Sequence, residues 1–271
     1  MVHKFLQHAV LTGLLAGIAC GVIGSYVVTR RITYIAGGIS HSVLAGMGAA
    51  GYLATVYRYE WLDPIHGAVA AALCAAVLIG YVSIHARQRE DTVIGAVWAV
   101  GMAVGILFIF KTPGYHEDLM SYLFGNILMV SSGDLILIAV LDLVILSLVF
   151  VFYNQFLAVC FDEEFARIRG IHVEFFYLLL LCLTALTVVL LITVVGIVMV
   201  IALLTLPAAV AGQFSKKLWQ MMILSSLLAA GFTMLGLAVS YGPDLPAGAT
   251  TILLAGAVYL AVSLGHRILR K

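Results

Sequence analysis

The sequence predicts an all-α integral membrane protein, a polytopic bundle of eight or nine transmembrane helices with its N-terminus outside and its C-terminus inside. Composition, segment length and charge placement predict it. Of 271 residues, 63% are hydrophobic and only 10% charged, against roughly 25% charged in a soluble domain. Mean hydropathy is +1.14. Apolar runs of membrane-crossing length follow one another closely, so residues 1–271 read as a single membrane domain with no room for an appended soluble one. The net charge is +1 and no basic stretch is long enough to form a nucleic-acid surface.

Residues 9–29 open the series. "LLAGIAC", ending at Cys20, looks like a lipoprotein cleavage site, but the apolar run continues through Val28, too far for the core of a signal sequence. It reads as a retained first helix. Runs 37–57, 65–85, 93–110 and 133–153 follow, most with the ~20 residues a helix needs to span a bilayer. Gly13, Gly17 and Gly21 form a doubled G-x-x-x-G, and Ala45/Ala49, Gly46/Ala50 and Gly101/Gly105 extend the pattern. Small residues at this spacing let helix backbones approach closely in lipid, where dispersion replaces the hydrophobic effect as the packing force. Runs 174–193 and 196–211 are separated only around Val195 and Gly196. They form either a tight hairpin or one broken element, and Pro207 removes a backbone hydrogen bond within the second. Runs 219–240 and 248–266 complete the set.

Charge sets the orientation. Arg30, Arg31, Arg87, Arg89, Arg167, Arg169, Lys216, Lys217, Arg267, Arg270 and Lys271 fall on one side, leaving only Lys4, Arg58 and Lys111 on the other. By the positive-inside rule the larger group is cytoplasmic. An odd number of crossings then follows. The cysteines Cys20, Cys74, Cys160 and Cys182 lie in or beside apolar runs without C-x-x-C spacing, and read as buried small hydrophobes.

Three places depart from a plain bundle. Residues 154–173 form a long cytoplasmic connection in which Phe161, Phe165, Ile168 and Ile171 recur at helical spacing. Asp162, Glu163, Glu164, Arg167 and Arg169 take the other positions, acidic first and basic last as a helix dipole prefers. Gly170 suits a C-cap. Such a helix either lies on the headgroups or docks in a partner's groove, and its balanced charge favours a protein partner. The pair Gly196 and Pro207 marks a helix break, which in transporters often lines the pathway. Third come the polar groups. Asp142 falls mid-span in "LIAVLDLVIL", where a carboxylate is costly unless paired or hydrated. His41 lies among Gly37, Gly38, Ser40, Ser42 and Ala45, small neighbours that leave its ring open to a cavity. His116, Glu117 and Asp118 cluster outside as a cation-attracting rim.

The chain carries no P-loop, no H-E-x-x-H and no G-x-S-x-G. Nothing in it supplies energy or hydrolytic chemistry. It reads as a transport subunit, not an enzyme.

Four stretches then resemble a known family, the membrane permeases of ABC importers for zinc, manganese or iron. They are "GSYVVTRRITYIAGGISHSVLAG" (24–46), "EDLMSYLFGNIL" (117–128), "EEFARIRGI" (163–171) and the pair "VVGIVMVIALLTLPAAVA" (194–211) with "DLPAGATTILLAG" (244–256). Their order matches the family's across nearly the whole chain. The resemblance implies a type II-like ABC permease in a bacterial inner membrane, dimerising with a second copy of itself. It implies a cytoplasmic ATPase gripping a coupling helix at Asp162–Ile171, with Phe165 and Ala166 inside it. It implies a periplasmic or lipid-anchored binding protein that delivers the metal. His41 matches the family's second-helix histidine, a candidate ligand for passing metal, with Asp142 a weaker one. Many relatives carry an aspartate four residues before that histidine, where this chain has Gly37. The imidazole and the absence of a sulfur ligand put zinc first, with manganese or iron(II) as alternatives. No cofactor is held permanently. A chelate or siderophore permease and a self-sufficient channel or carrier are the competing readings.

Overall fold

The computed structural model describes residues 2–59, 61–85, 90–113, 130–242 and 245–269. Every regular element among these residues is helical. In chain order they are α1 (Val2–Thr29), α2 (Thr33–Tyr57), α3 (Pro64–His85), α4 (Glu90–Lys111), α5 (Ser132–Val151), α6 (Tyr153–Phe161), α7 (Glu163–Ile168), α8 (Val173–Val195), α9 (Ile197–Phe214), α10 (Leu218–Tyr241) and α11 (Ala247–Leu269). Among the described residues, nine helices are long and apolar enough to cross a membrane. Only α6 and α7 are too short, and they fill the connection read from the sequence as an amphipathic cytoplasmic link.

The junction between the sixth and seventh runs is resolved at Gly196. Its φ of 83° and ψ of 157° lie in a region open essentially to glycine alone. Its N–H reaches Ile192 O at 3.2 Å, closing α8, and its carbonyl accepts from Val200 N at 3.2 Å, opening α9. The chain therefore makes two helices here. Pro207 behaves differently from expectation: α9 runs through it to Phe214 without ending. Losing one donor is tolerable where the rest of the ladder is intact.

The helices fall into two compact units. One holds α1, α5, α9, α10, α11 and the end of α8. The other holds α2, α3, α4, α6, α7 and most of α8. In the first, α1 is central and α11 peripheral: 72% of the α1 span is buried against 17% for α11. The doubled G-x-x-x-G is the seam between α1 and α10. A Cβ on Gly17 would sit 2.8 Å from Ala230 N, and Gly13 and Gly21 face Thr233 and Ser226 in the same way. The small-residue row thus does what lipid packing asks of it. At the start of α5, Ser131 and Asp134 form a capping box. Just before it, Val130 O pairs with His8 Nδ1 of α1 at 3.2 Å, so α1 and α5 begin at the same end.

In the second unit α2 packs on both α3 and α4. Gly46 and Gly67 bring the α2 and α3 backbones together, and Gly101 brings α4 onto Ser42 of α2. Ser83 Oγ of α3 and Tyr177 Oη of α8 lie 3.2 Å apart. Phe156 of α6 meets Phe176 of α8 edge-on, centroids 5.9 Å apart.

Candidate functional site

His41 sits in the third turn of α2, and its surroundings are set by how near α4 can come. A Cβ on Gly101 would lie 2.6 Å from Ser42 Cα and 3.0 Å from Ser42 Cβ, so only glycine permits this approach. One turn earlier on α4, Trp98 lies flat against the imidazole, with centroids 4.2 Å apart and planes 12° from parallel. The indole N–H is donated to Met102 Sδ at 3.2 Å. Tyr34, two turns before His41, completes the aromatic group with its ring 6.1 Å from Trp98. The flanking serines are spent locally: Ser40 Oγ donates to Gly37 O at 2.9 Å and Ser42 Oγ to Ile39 O at 2.7 Å. His41 Nδ1 is buried and has no hydrogen-bond partner.

This corrects one expectation. The small residues around His41 do not simply leave a cavity. They admit α4, since a Cβ on Gly38 would come within 2.8 Å of Ile94 Cγ2, and one face of the ring is covered by Trp98. The ring remains half-buried, with a nitrogen that nothing satisfies. Buried polar atoms nearly always find partners. Sequence reasoning named the histidine and missed Trp98 and Met102. Their i, i+4 spacing on an apolar helix reads as ordinary packing, and only the register with α2 gives it meaning.

Asp142 lies in the other unit. It is 3% exposed, and neither carboxylate oxygen has a hydrogen-bond partner. The tie between His8 and Val130 sets its depth. Running the same number of residues on from each, at about 1.5 Å per residue, brings Cys20 of α1 and Asp142 of α5 to one level. No three His, Cys, Asp or Glu side chains among the described residues come together as a metal cage. His116, Glu117 and Asp118 lie outside the described residues.

The 154–173 segment is two helices, where sequence periodicity suggested one. Asp162 (φ −152°, ψ 99°) breaks the run and caps α7, its Oδ1 accepting from Phe165 N at 2.9 Å. A carboxylate at this position satisfies an orphan donor and faces the positive end of the helix. Glu163 and Glu164 fill the first turn and Arg167 the last. Gly170 (φ 76°) ends the helix. Its N–H reaches Arg167 O at 3.0 Å and that of Ile171 reaches Ala166 O at 3.0 Å, the two bonds of a Schellman motif. Alanine at Gly170 meets no atom within 4 Å, but the left-handed backbone costs an L residue about 1 kcal/mol. Gly170→Ala is expected to raise amide exchange in α7 roughly fivefold, measured by hydrogen–deuterium exchange on the full chain.

Ala166 is wholly buried, whereas Phe165 is 47% and Ile168 85% exposed. Arg169 sits 4.9 Å above the Phe165 ring. The Arg167–Glu174 pair, at 4.0 Å with both side chains more than half exposed, contributes little. Beside them Leu157, Phe161, Phe165, Arg169 and Ile171 line an open cavity of about 710 Å³. The segment therefore offers a short, capped helix with apolar side chains outward.

Comparison with known proteins places the chain. Residues 2–266 match the family model described as the ABC 3 transport family. An uncharacterized membrane protein of Synechocystis sp. is 44% identical over 98% of this chain and 92% of its own. The manganese transport system membrane protein MntC of Listeria monocytogenes is 35% identical, covering 96% of this chain and 90% of its own. The solved structure of PsaBC from Streptococcus pneumoniae in complex with Fab superposes with a TM-score of 0.83 at 31% identity, over 97% and 95% of the two chains. Nine apolar helices among the described residues, the order of the motifs and a match along nearly the whole length converge: this chain belongs to the ABC 3 transport family and is a multi-pass permease of the plasma membrane.

Proposed function

We propose that the chain is the membrane permease of an ATP-driven importer for a divalent first-row transition metal, with manganese first and zinc or iron(II) second. The family match from end to end carries this reading. The imidazole of His41 and the absence of a sulfur ligand by themselves put zinc first. The Listeria relative, named for manganese transport, moves manganese ahead, and a single neutral nitrogen ligand serves either ion. In this reading His41 offers that nitrogen to the passing ion, and weak coordination suits a pathway better than a closed cage. Gly37, one turn before His41, brings no carboxylate, so the ion meets few fixed charges beside His41.

The remaining parts follow from what the chain lacks. With no nucleotide motif of its own, it depends on a cytoplasmic ATPase, and α7 with its exposed Phe165 and Ile168 is the surface we assign to that partner. Closure of the ATPase moves this segment and the permease changes the side to which it opens. A second copy of the chain and an extracytoplasmic metal-binding protein complete the assembly, and the arginine-rich side faces the cytoplasm. The single transmembrane domain spans residues 1–271.

The test is the metal content of depleted cells with and without the gene, measured for manganese, zinc and iron by mass spectrometry. Deletion is expected to lower manganese severalfold and leave zinc and iron close to wild type. A selective fall in zinc reverses the order of metals. No change in any of the three sinks the importer reading, and carriage by the purified chain in liposomes without an ATPase replaces it with a self-sufficient carrier.

A further inference from the structure

The second unit contains a device that the transport reading does not require. A buried imidazole usually gains its orientation from a hydrogen bond to one ring nitrogen, the arrangement that positions most metal-binding histidines. His41 has none: Nδ1 is buried without a partner, and the nearby Ser40 and Ser42 hydroxyls are committed to their own helix. What holds the ring is a face. Trp98 covers it at 4.2 Å and 12°, too close and too parallel for the imidazole to swing out of plane without driving its edge into the indole. The indole is held in turn, because its only donor is spent on Met102 Sδ at 3.2 Å, one turn on. Gly101 sets the height of α4 at which this occurs, against Ser42, the residue after His41.

We propose that Trp98 is the positioning residue of the metal path: it clamps the His41 ring so that the ring nitrogens keep a fixed plane for the passing cation. A metal–imidazole bond lies in the plane of the ring, so holding the plane holds the direction of coordination. The clamp works by stacking, and leaves Nδ1 free of the competing hydrogen bond that would otherwise orient the ring. Met102 serves Trp98 as a carbonyl or carboxylate serves a conventional metal-binding histidine. This inference rests on the reading of His41 as a ligand, and the experiment separates the two.

The full chain is reconstituted in lipid nanodiscs carrying Trp61→Phe and Trp219→Phe, which leaves Trp98 as the sole tryptophan of the three. Paramagnetic Mn(II) is titrated while Trp98 emission and, independently, free Mn(II) by electron paramagnetic resonance are followed. Saturable quenching that disappears in His41→Ala is expected. Trp98→Leu, which keeps bulk but not the flat face, is expected to weaken Mn(II) binding roughly fivefold to tenfold, the size of one released side chain. Trp98→Phe, which keeps a flat face, is expected to restore it to within about twofold on the same scale. If Trp98→Leu binds as wild type while His41→Ala does not, the clamp is overturned and the His41 reading stands. If His41→Ala binds as wild type, both fall. Equal weakening by Leu and Phe also overturns the clamp, since loss of packing then explains it. Should the Leu variant fail to assemble, the quenching decides alone: no His41-dependent quenching of Trp98 overturns the proposal.

Discussion

Replacing Gly101 by leucine is expected to lower the ratio of folded to unfolded protein at least tenfold. Two effects oppose one another. Leucine is a better helix former than glycine by about 1 kcal/mol. Against that, its Cβ alone would stand 2.6 Å from Ser42 Cα, a contact with backbone that no rotamer change relieves. Overpacking a core costs roughly 1–3 kcal/mol, occasionally more, and here α4 must move off α2 as a body, loosening the dispersion contacts along their shared seam. The clash wins. A net loss of about 1.4 kcal/mol is already tenfold. The separation also lifts Trp98 from His41, so any surviving protein should lose the stack. Detergent-solubilised yield and thermal stability, measured against wild type, check the result. Gly51→Ala is the control: it lies in α2 as well, but its Cβ would meet no atom within 4 Å, so stability should hold or rise slightly.

Ile168→Asp is expected to weaken association with the ATPase by at least tenfold, and uptake with it. The side chain is 85% exposed, and an aspartate there, at the negative end of the helix dipole, costs α7 only about 0.3–1 kcal/mol. In the docking proposed above the same side chain becomes buried. Burying an isoleucine contributes about 1.5–3 kcal/mol, and an aspartate in its place adds a desolvation cost. Tenfold is therefore the lower bound. Phe165→Asp should act in the same direction, less cleanly, because it also removes the ring beneath Arg169. Glu164→Arg, a charge reversal on an exposed position, probes the electrostatic share. Ala166→Trp is a poor test: Ala166 is wholly buried, so tryptophan there disrupts the helix before any partner is met. Co-purification of the ATPase and its stimulation in proteoliposomes measure the effect. Wild-type association in both aspartate variants would remove α7 from the docking surface.

Most of the fold was legible, and the reason is the solvent. A bilayer admits only backbones that satisfy their own hydrogen bonds, so runs such as 65–85 and 219–240 could hardly be anything but helices, and they appear as Pro64–His85 and Leu218–Tyr241. The doubled glycine motif of α1 was legible for a related reason, since close approach in lipid needs small residues whatever the partner helix. The 154–173 segment was only partly legible. Periodicity joined Phe161 to Phe165 across Asp162, but an aspartate that can cap its own backbone competes with helix continuation, and capping won. The local signals at its other end, Gly170 and the basic last turn, were strong enough to read correctly.

The sequence by itself determined the class of solvent, the number and place of the membrane-crossing helices among the described residues to within the Gly196 junction, and the family, because each follows from composition, length and motif order along the chain. Only the tertiary structure decided that Gly196 divides two helices while Pro207 does not, that Asp142 is buried without a partner, and that His41 is held by a stacked indole. These depend on the register between helices distant in sequence. That register is set by which backbones can touch, as Gly101 touches Ser42, and periodicity within a single helix carries no record of it.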